Sequence, residues 1–182
     1  MDILLVRHGE AVTHTAELGD SGRWLTAKGR RRTRRAAAWL TKAKGKAKGD
    51  PIREIWTSPL VRSVQSAEIL ASALGLEEEV QVCSALSPER SPREILEVLA
   101  RRSDQGTLAL VGHEPLLSQL AAVLLGLSEC HKLSKSGVVR LSWKGTGATA
   151  KLRYWLDGKT LEARNELEAA LPSQREPLEE KT

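Results

Sequence analysis

Two histidines and two arginines in this sequence have residue types and placements suited to phosphate chemistry. Arg7 and His8 follow one apolar run, His113 follows a second, and Arg62 lies in the first turn of a predicted helix. The planar guanidinium of arginine matches phosphate oxygens and stays charged. A neutral imidazole can attack phosphorus, and a protonated one can stabilise charge on the equatorial oxygens. The four side chains therefore indicate phosphoryl chemistry.

Strands and helices alternate along the part of the chain that carries these residues. Apolar or β-branched runs predict strands at 2–6, 53–57, 80–83 and 107–112. Helical patterns between and after them start near Thr26, Ser58-Pro59, Ser91-Pro92 and Pro115. The first, second and fourth of these end near Ala43, Gly75 and Gly126. This order predicts an α/β fold of three layers, with a mostly parallel central sheet and helices on both faces.

The pattern changes after the fourth helix. Period-two alternation at 138–143 and 150–155, separated by a Gly-Thr-Gly turn, predicts a closing antiparallel hairpin. We expect one domain over 1–160, a lysine-rich surface loop at 42–50 and a polar tail at 161–182.

In such a sheet, ligands bind beyond the carboxyl ends of the strands, where His8 and His113 are expected to meet. The helix starting near Pro115 would add the Glu114 N–H and the positive end of its dipole. No metal or cofactor is expected, since His8 and His113 have no third ligand at a suitable spacing.

Four motifs in register resemble those of the histidine phosphatase superfamily. They are Arg7-His8-Gly9, Arg23-Trp24-Leu25-Thr26-Ala27-Lys28-Gly29, the run from Ser58-Pro59-Leu60 through Arg62 to Ala67, and Gly112-His113. The resemblance implies a phosphoglycerate mutase-like fold and His8 as the nucleophile that becomes phosphohistidine. It implies Arg7, Arg62 and His113 as phosphoryl-binding residues. The short chain resembles the SixA-type branch, the phosphohistidine phosphatases, and implies a phosphotransfer protein of bacterial signalling as partner.

The general acid of the ester-cleaving members has no clear counterpart. Glu89, in the short connection between Leu86 and Ser91, is the candidate, and no lid insertion is present. An alkoxide leaving group needs a proton in the transition state, whereas imidazole leaves readily once protonated. The hypothesis is a phosphatase acting on protein phosphohistidine, and the alternative is a small-molecule phosphomonoesterase that uses Glu89.

Composition limits the remaining possibilities. No apolar run is long enough to span a membrane and no leader pattern is visible, so we expect a soluble, cytoplasmic protein. Cys83 and Cys130 form neither a disulfide framework nor a zinc motif. The net charge of +5 is concentrated in residues 28–48, which hold ten Lys or Arg and no acid. Two alternatives remain. One is a nucleic-acid binder that uses this basic segment, and the other is a module that recognises phosphate without catalysis.

Overall fold

A seven-stranded sheet forms the centre of the molecule. The computed structural model describes residues 1–15, 19–43, 49–102 and 106–171; residues 44–48 of the predicted lysine-rich loop and 172–182 of the predicted tail lie outside them. The strands are β1 (Asp2–Arg7), β2 (Ile52–Thr57), β3 (Val80–Val82), β4 (Thr107–Gly112), β5 (Val138–Ser142), β6 (Lys151–Leu156) and β7 (Ala163–Arg164). Their order is β3-β2-β4-β1-β5-β6-β7. The first four are parallel, and β5, β6 and β7 are antiparallel, which confirms the predicted closing hairpin.

Four helices cover both faces of this sheet. They are α1 (Ala27–Lys42), α2 (Val61–Leu74), α3 (Pro92–Ala100) and α4 (Leu116–Leu125). Successive residues of a strand point to opposite faces, so β1 serves two cores. Leu4 packs with residues of α1 and α2, and Leu5 packs with residues of α3 and α4. The predicted three-layer α/β fold is confirmed.

The helix starts differ slightly from the sequence prediction. Thr26 caps α1 by accepting a hydrogen bond from the Gly29 N–H, and α3 has the predicted capping box with Ser91 and Glu94. In contrast, α2 begins at Val61 and not at Ser58-Pro59. The reason is that the Ser58 N–H bonds to the Val111 carbonyl at 3.0 Å, which holds Ser58 as an extension of β2. The start of α4 is one residue later than predicted.

The segment that we predicted as a polar tail begins as part of the folded domain. Its first residues include β7, which pairs with β6, and a short 3-10 helix at Leu167–Ala170. Ala170 is fully buried in the core, and its carbonyl accepts from the His131 N–H. Residues 161–171 therefore pack onto the sheet. Within the described residues, no helix is long and apolar enough to cross a membrane.

Candidate active site

Two parallel strands deliver both histidines to one edge of the sheet. β1 and β4 are adjacent, with Arg7 opposite Gly112, and the residue after each strand is a histidine. The His8 N–H donates to the Gly112 carbonyl at 3.1 Å, so the two chain segments remain paired where they leave the sheet. The imidazole centroids of His8 and His113 lie 4.9 Å apart. The structure thus brings together the two histidines that the sequence separates by more than a hundred residues.

The hydrogen bonds of His8 select one tautomer of its ring. Nδ1 lies 2.7 Å from the Gly9 carbonyl oxygen, which can only accept, so Nδ1 carries the proton. Nε2 is then unprotonated, and its lone pair accepts a hydrogen bond from Nε of Arg62 at 3.3 Å. Burial, with smaller contributions from the nearby Arg62 and Arg7 guanidiniums, lowers the pKa of His8 to about 4. At neutral pH, His8 is therefore a neutral imidazole with an available lone pair.

His113 is buried against hydroxyl groups. Its Nε2 lies 2.8 Å from Oγ of Ser58 and 3.2 Å from Oγ of Ser63, while its Nδ1 has no hydrogen-bond partner among the described residues. Burial lowers the pKa of His113 to about 3, helped by His8 and Arg62. This lowered pKa favours the neutral form of the His113 imidazole at neutral pH.

Arg62 connects His8 to a residue that the sequence analysis did not identify. Besides its bond to His8, it donates from Nη1 to the Asp20 carbonyl at 2.7 Å and from Nη2 to Oδ2 of Asp20 at 2.9 Å. Asp20 is also paired with Arg23 at 2.9 Å. Hydrogen bonds from Arg23 and then Arg62 lower the pKa of Asp20, so the carboxyl group is ionised. Its position seven residues before the α1 start, close to Arg23 of the second motif, was the available signal.

Arg7, the last residue of β1, directly precedes His8. Its Nη1 donates to the Leu133 carbonyl at 2.6 Å, and its buried Nε has no hydrogen-bond partner among the described residues. Burial lowers the pKa of Arg7, which the Glu114 carboxylate opposes. Arg7 in turn contributes to the lowered pKa values of both His8 and His113. It therefore adds positive potential to the same edge.

Close packing holds the turn that follows His8. The Gly9 N–H donates to Oγ of Ser66 at 3.1 Å, and that hydroxyl donates to the Arg62 carbonyl at 2.7 Å. Ser66 stands where the superfamily usually has threonine, and its hydroxyl links the turn to α2. A Cβ at Gly9 would lie only 2.6 Å from Oγ1 of Thr33, so a side chain does not fit there. The backbone that carries His8 is thereby fixed against both α1 and α2.

Glu114 and Glu89 occupy different environments. The Glu114 carboxylate accepts from the Leu133 N–H at 3.0 Å and from Oγ of Ser118 at 2.6 Å, and so anchors the chain beside Arg7. Its N–H, predicted to bind phosphate, lies directly after His113 at the approach to α4. Glu89 is exposed in the turn before α3, and within the described residues no hydrogen bond or ion pair joins it to the histidine pair.

The fold and this site define a class of protein. An α/β sheet with a neutral histidine, a second buried histidine and two arginines at its carboxyl edge is an arrangement that can bind an oxyanion beside a nucleophile. Within the described residues, no group of three or more metal-ligating side chains is present.

Comparisons with known proteins agree with this class. Residues 3–87 match the family model of histidine phosphatase superfamily branch 1. An uncharacterised protein of Picosynechococcus is 37% identical over 145 residues, which are 78% of this chain and 84% of that protein. The Escherichia coli phosphohistidine phosphatase SixA is 29% identical over 126 residues, covering 68% of this chain and 74% of SixA. A structure of the protein histidine phosphatase SixA complexed with tungstate superposes with a TM-score of 0.76 at 23% identity, covering 89% of this chain and all of that one.

This chain belongs to the histidine phosphatase superfamily, and it resembles the SixA-type branch in sequence and fold. Membership indicates a phosphatase, a hydrolase that removes phosphoryl groups.

Proposed function

We propose that this protein is a phosphohistidine phosphatase, which removes the phosphoryl group from a histidine of a phosphotransfer protein through a phosphohistidine at His8. The observation that carries the proposal is the tautomer of His8. With its proton on Nδ1 and directed to the Gly9 carbonyl, Nε2 has the lone pair that attacks phosphorus. The pKa of about 4 keeps Nε2 unprotonated at neutral pH.

The proposed reaction has two displacements. Nε2 of His8 forms a bond to phosphorus while the phosphorus–nitrogen bond of the substrate breaks, and the substrate imidazole, protonated on its other nitrogen, leaves neutral. Water then attacks the phosphorus of phospho-His8, which releases phosphate and restores His8. Arg62, whose Nε donates to Nε2 of His8 at 3.3 Å, donates to a phosphoryl oxygen when phosphate is bound. His113 has an unpartnered Nδ1 that serves as a second donor.

The charges around the site favour a nitrogen leaving group over an alcohol. Among the described residues, Asp20 supplies the carboxylate hydrogen-bonded to Arg62, and its lowered pKa leaves it without a proton to donate. Glu89 is exposed and is not joined to the histidines. An alkoxide would therefore leave unassisted, whereas a protonated imidazole carries its own proton. The SixA structure that shares this fold was obtained with tungstate, a tetrahedral oxyanion like phosphate.

The test compares two substrates. We expect fast phosphate release from a histidine phosphotransfer domain phosphorylated on histidine and slow release from p-nitrophenyl phosphate. We expect neither activity in His8→Ala. His14→Ala is the matched control, because His14 is an exposed histidine outside the site. A preference for the ester would contradict the proposal in favour of a phosphomonoesterase, and absence of turnover on both substrates would indicate a recognition module.

A further inference from the structure

The exposed side of α1 is a basic stripe that begins beside the candidate active site. Arg31, Arg34, Arg35 and Lys42 are exposed, and the helix contains no acidic residue. Within the described part of the chain, none of these four side chains forms an ion pair. Sixteen residues give α1 a length of about 24 Å. The stripe is therefore long enough to contact a protein, and ion pairs among the described residues do not neutralise the positive charge of these four side chains.

The N-terminal end of α1 is attached to the turn that carries His8. The Thr26 N–H donates to the Glu10 carbonyl at 2.9 Å, and Nζ of Lys28 pairs with Oε2 of Glu10 at 3.2 Å. Lys28, Lys135 and Arg32 all lower the pKa of Glu10, which shows that several cations surround this turn. The positive potential thus extends from the site along α1.

An exposed aromatic residue lies immediately before α1. Trp24 is 46% exposed, and its carbonyl accepts from the Val12 N–H at 2.9 Å, which fixes its backbone beside the His8 turn. Val61, the first residue of α2, is 36% exposed and donates its N–H to the Ser21 carbonyl in the same loop. Tryptophan and arginine are enriched in protein interfaces and in the residues that contribute most to binding.

From these observations we propose that Trp24, Lys28, Arg31, Arg34, Arg35 and Lys42 form a docking surface for an acidic protein that carries the phosphohistidine. This inference rests on the proposed function and adds how the substrate is recognised. The chemistry required of the partner is a patch of Asp and Glu beside its phosphohistidine, with an apolar spot that covers Trp24. Cations attract that patch at long range and speed encounter, and the tryptophan contributes to holding the complex.

The distribution of charge over the whole chain supports an oriented approach. Residues 28–48 carry ten of the 28 Lys and Arg and none of the 23 Asp and Glu, although the chain as a whole is only +5. The remainder is therefore net negative. Within α1 no acidic residue offsets the cations, so an acidic partner is attracted to the face that begins at the His8 turn, which brings its phosphohistidine toward the site.

Two matched triple variants test the cationic part of this surface. Arg31→Gln, Arg34→Gln and Arg35→Gln together remove three charges from α1. The control replaces Lys144, Lys151 and Arg153 with Gln; these are exposed on the β5–β6 hairpin, where Lys151 lies opposite Ser142 and Ser142 opposite Asp2. That hairpin end lies at the far edge of the sheet from His8. Both variants have the same net charge.

Two substrates separate docking from chemistry. One is the phosphorylated histidine phosphotransfer domain, and the other is phosphoimidazole, which has no protein surface. For the α1 variant we expect about a tenfold rise in KM for the phosphoprotein, a weaker dependence of kcat/KM on salt, and unchanged kcat/KM for phosphoimidazole. The control variant should match the wild type on both substrates.

Trp24→Ala tests the apolar part independently. We expect about a tenfold rise in KM for the phosphoprotein with phosphoimidazole hydrolysis retained. Val123→Ala removes an apolar side chain of similar exposure, 53%, from α4 and should leave both KM values unchanged.

Three results would overturn the docking surface. The first is an α1 variant that processes the phosphoprotein as the wild type does. The second is an equal rise in KM for the control variant, which would show that the effect comes from net charge alone. The third is tight, salt-sensitive binding of duplex DNA to α1 with phosphoprotein turnover unaffected, which would assign the stripe to nucleic acid. Failure of the proposed function looks different: the wild type itself would leave the phosphoprotein untouched.

Discussion

The guanidinium of Arg62 is held by Asp20 across 42 residues of sequence. Oδ2 of Asp20 lies 2.9 Å from Nη2, and the two side chains are 49% and 6% exposed, respectively. The half-exposed carboxylate of Asp20 therefore forms an ion pair with the buried guanidinium of Arg62, which the proposed reaction needs to bind the phosphoryl group. In the proposed reaction, phosphate binds Arg62 beside this carboxylate, whose negative charge repels it.

Replacing Asp20 with Asn should tighten phosphate binding. The amide keeps the shape of the side chain but removes the competing charge, so we expect the Kd for inorganic phosphate or tungstate to fall about 3- to 10-fold. Isothermal titration calorimetry measures this directly. Glu97→Gln, which removes one partner of the exposed Arg93–Glu97 pair, is the control and should not change the Kd. A weaker Kd in Asp20→Asn would instead mean that Asp20 positions Arg62 for binding.

The phosphoryl group should be trapped on His8 during turnover. Rapid quenching of the wild type with labelled phosphoprotein should yield an acid-labile, base-stable phosphoenzyme, as expected of a phosphorus–nitrogen bond. Peptide mapping by mass spectrometry should place the label on His8, because Nε2 of this residue is its unprotonated ring nitrogen. Label on His113 would contradict the assignment. His14→Ala is the control and should still form the labelled phosphoenzyme.

Both buried histidines should make stability depend on pH. Their pKa values, about 4 for His8 and about 3 for His113, lie below the ordinary 6.5, so the unfolded state binds more protons. Their contribution to stability is complete above pH 6.5 and is lost as the pH falls toward 4. In that window, each adds a slope of about 1.4 kcal/mol per pH unit to the free energy of unfolding.

Urea denaturation between pH 4.5 and 7 measures that slope, which should decrease in His113→Asn and persist in His14→Gln. Imidazole NMR titration supplies the site-specific values. A titration midpoint near 6.5 for His8 would show that burial does not hold it neutral.

Glu89 should be dispensable for phosphoprotein hydrolysis. It is exposed before α3, and the proposed leaving group brings its own proton, so Glu89→Gln should change kcat by less than about twofold. Steady-state kinetics on the phosphoprotein and on p-nitrophenyl phosphate provide the comparison. A loss of about a hundredfold or more on either substrate would identify Glu89 as the general acid.

Gly29 should not tolerate a methyl group despite its helical position. Alanine normally favours a helix by about 1 kcal/mol over glycine, yet a Cβ at Gly29 would overlap the Glu10 carbonyl oxygen. We expect Gly29→Ala to destabilise the protein by about 1–3 kcal/mol and to lower kcat by moving the His8 turn. Arg30→Ala, one residue further along α1, should change stability by less than about 0.5 kcal/mol. Equal stability of the two variants in thermal denaturation would disprove the close contact.

Sequence alone was sufficient to place His8, Arg62 and His113 together. Each follows a strand of a parallel sheet, and the carboxyl ends of such strands meet at one edge regardless of how the loops fold. The capping box at Ser91 was equally readable, because its hydrogen bonds lie within four residues. The sequence did not predict β7, because a two-residue strand has no periodicity and depends on pairing with β6.

The sequence by itself determined the fold class, the order of its elements and the chemical types at the site, because apolar periodicity and capping are local properties of the chain. Only the tertiary structure decided the tautomer of His8, the lowered pKa values and the contact between Asp20 and Arg62. Those depend on burial and on the field of groups that are distant in sequence, and neither exists until the β1, β2 and β4 ends are assembled.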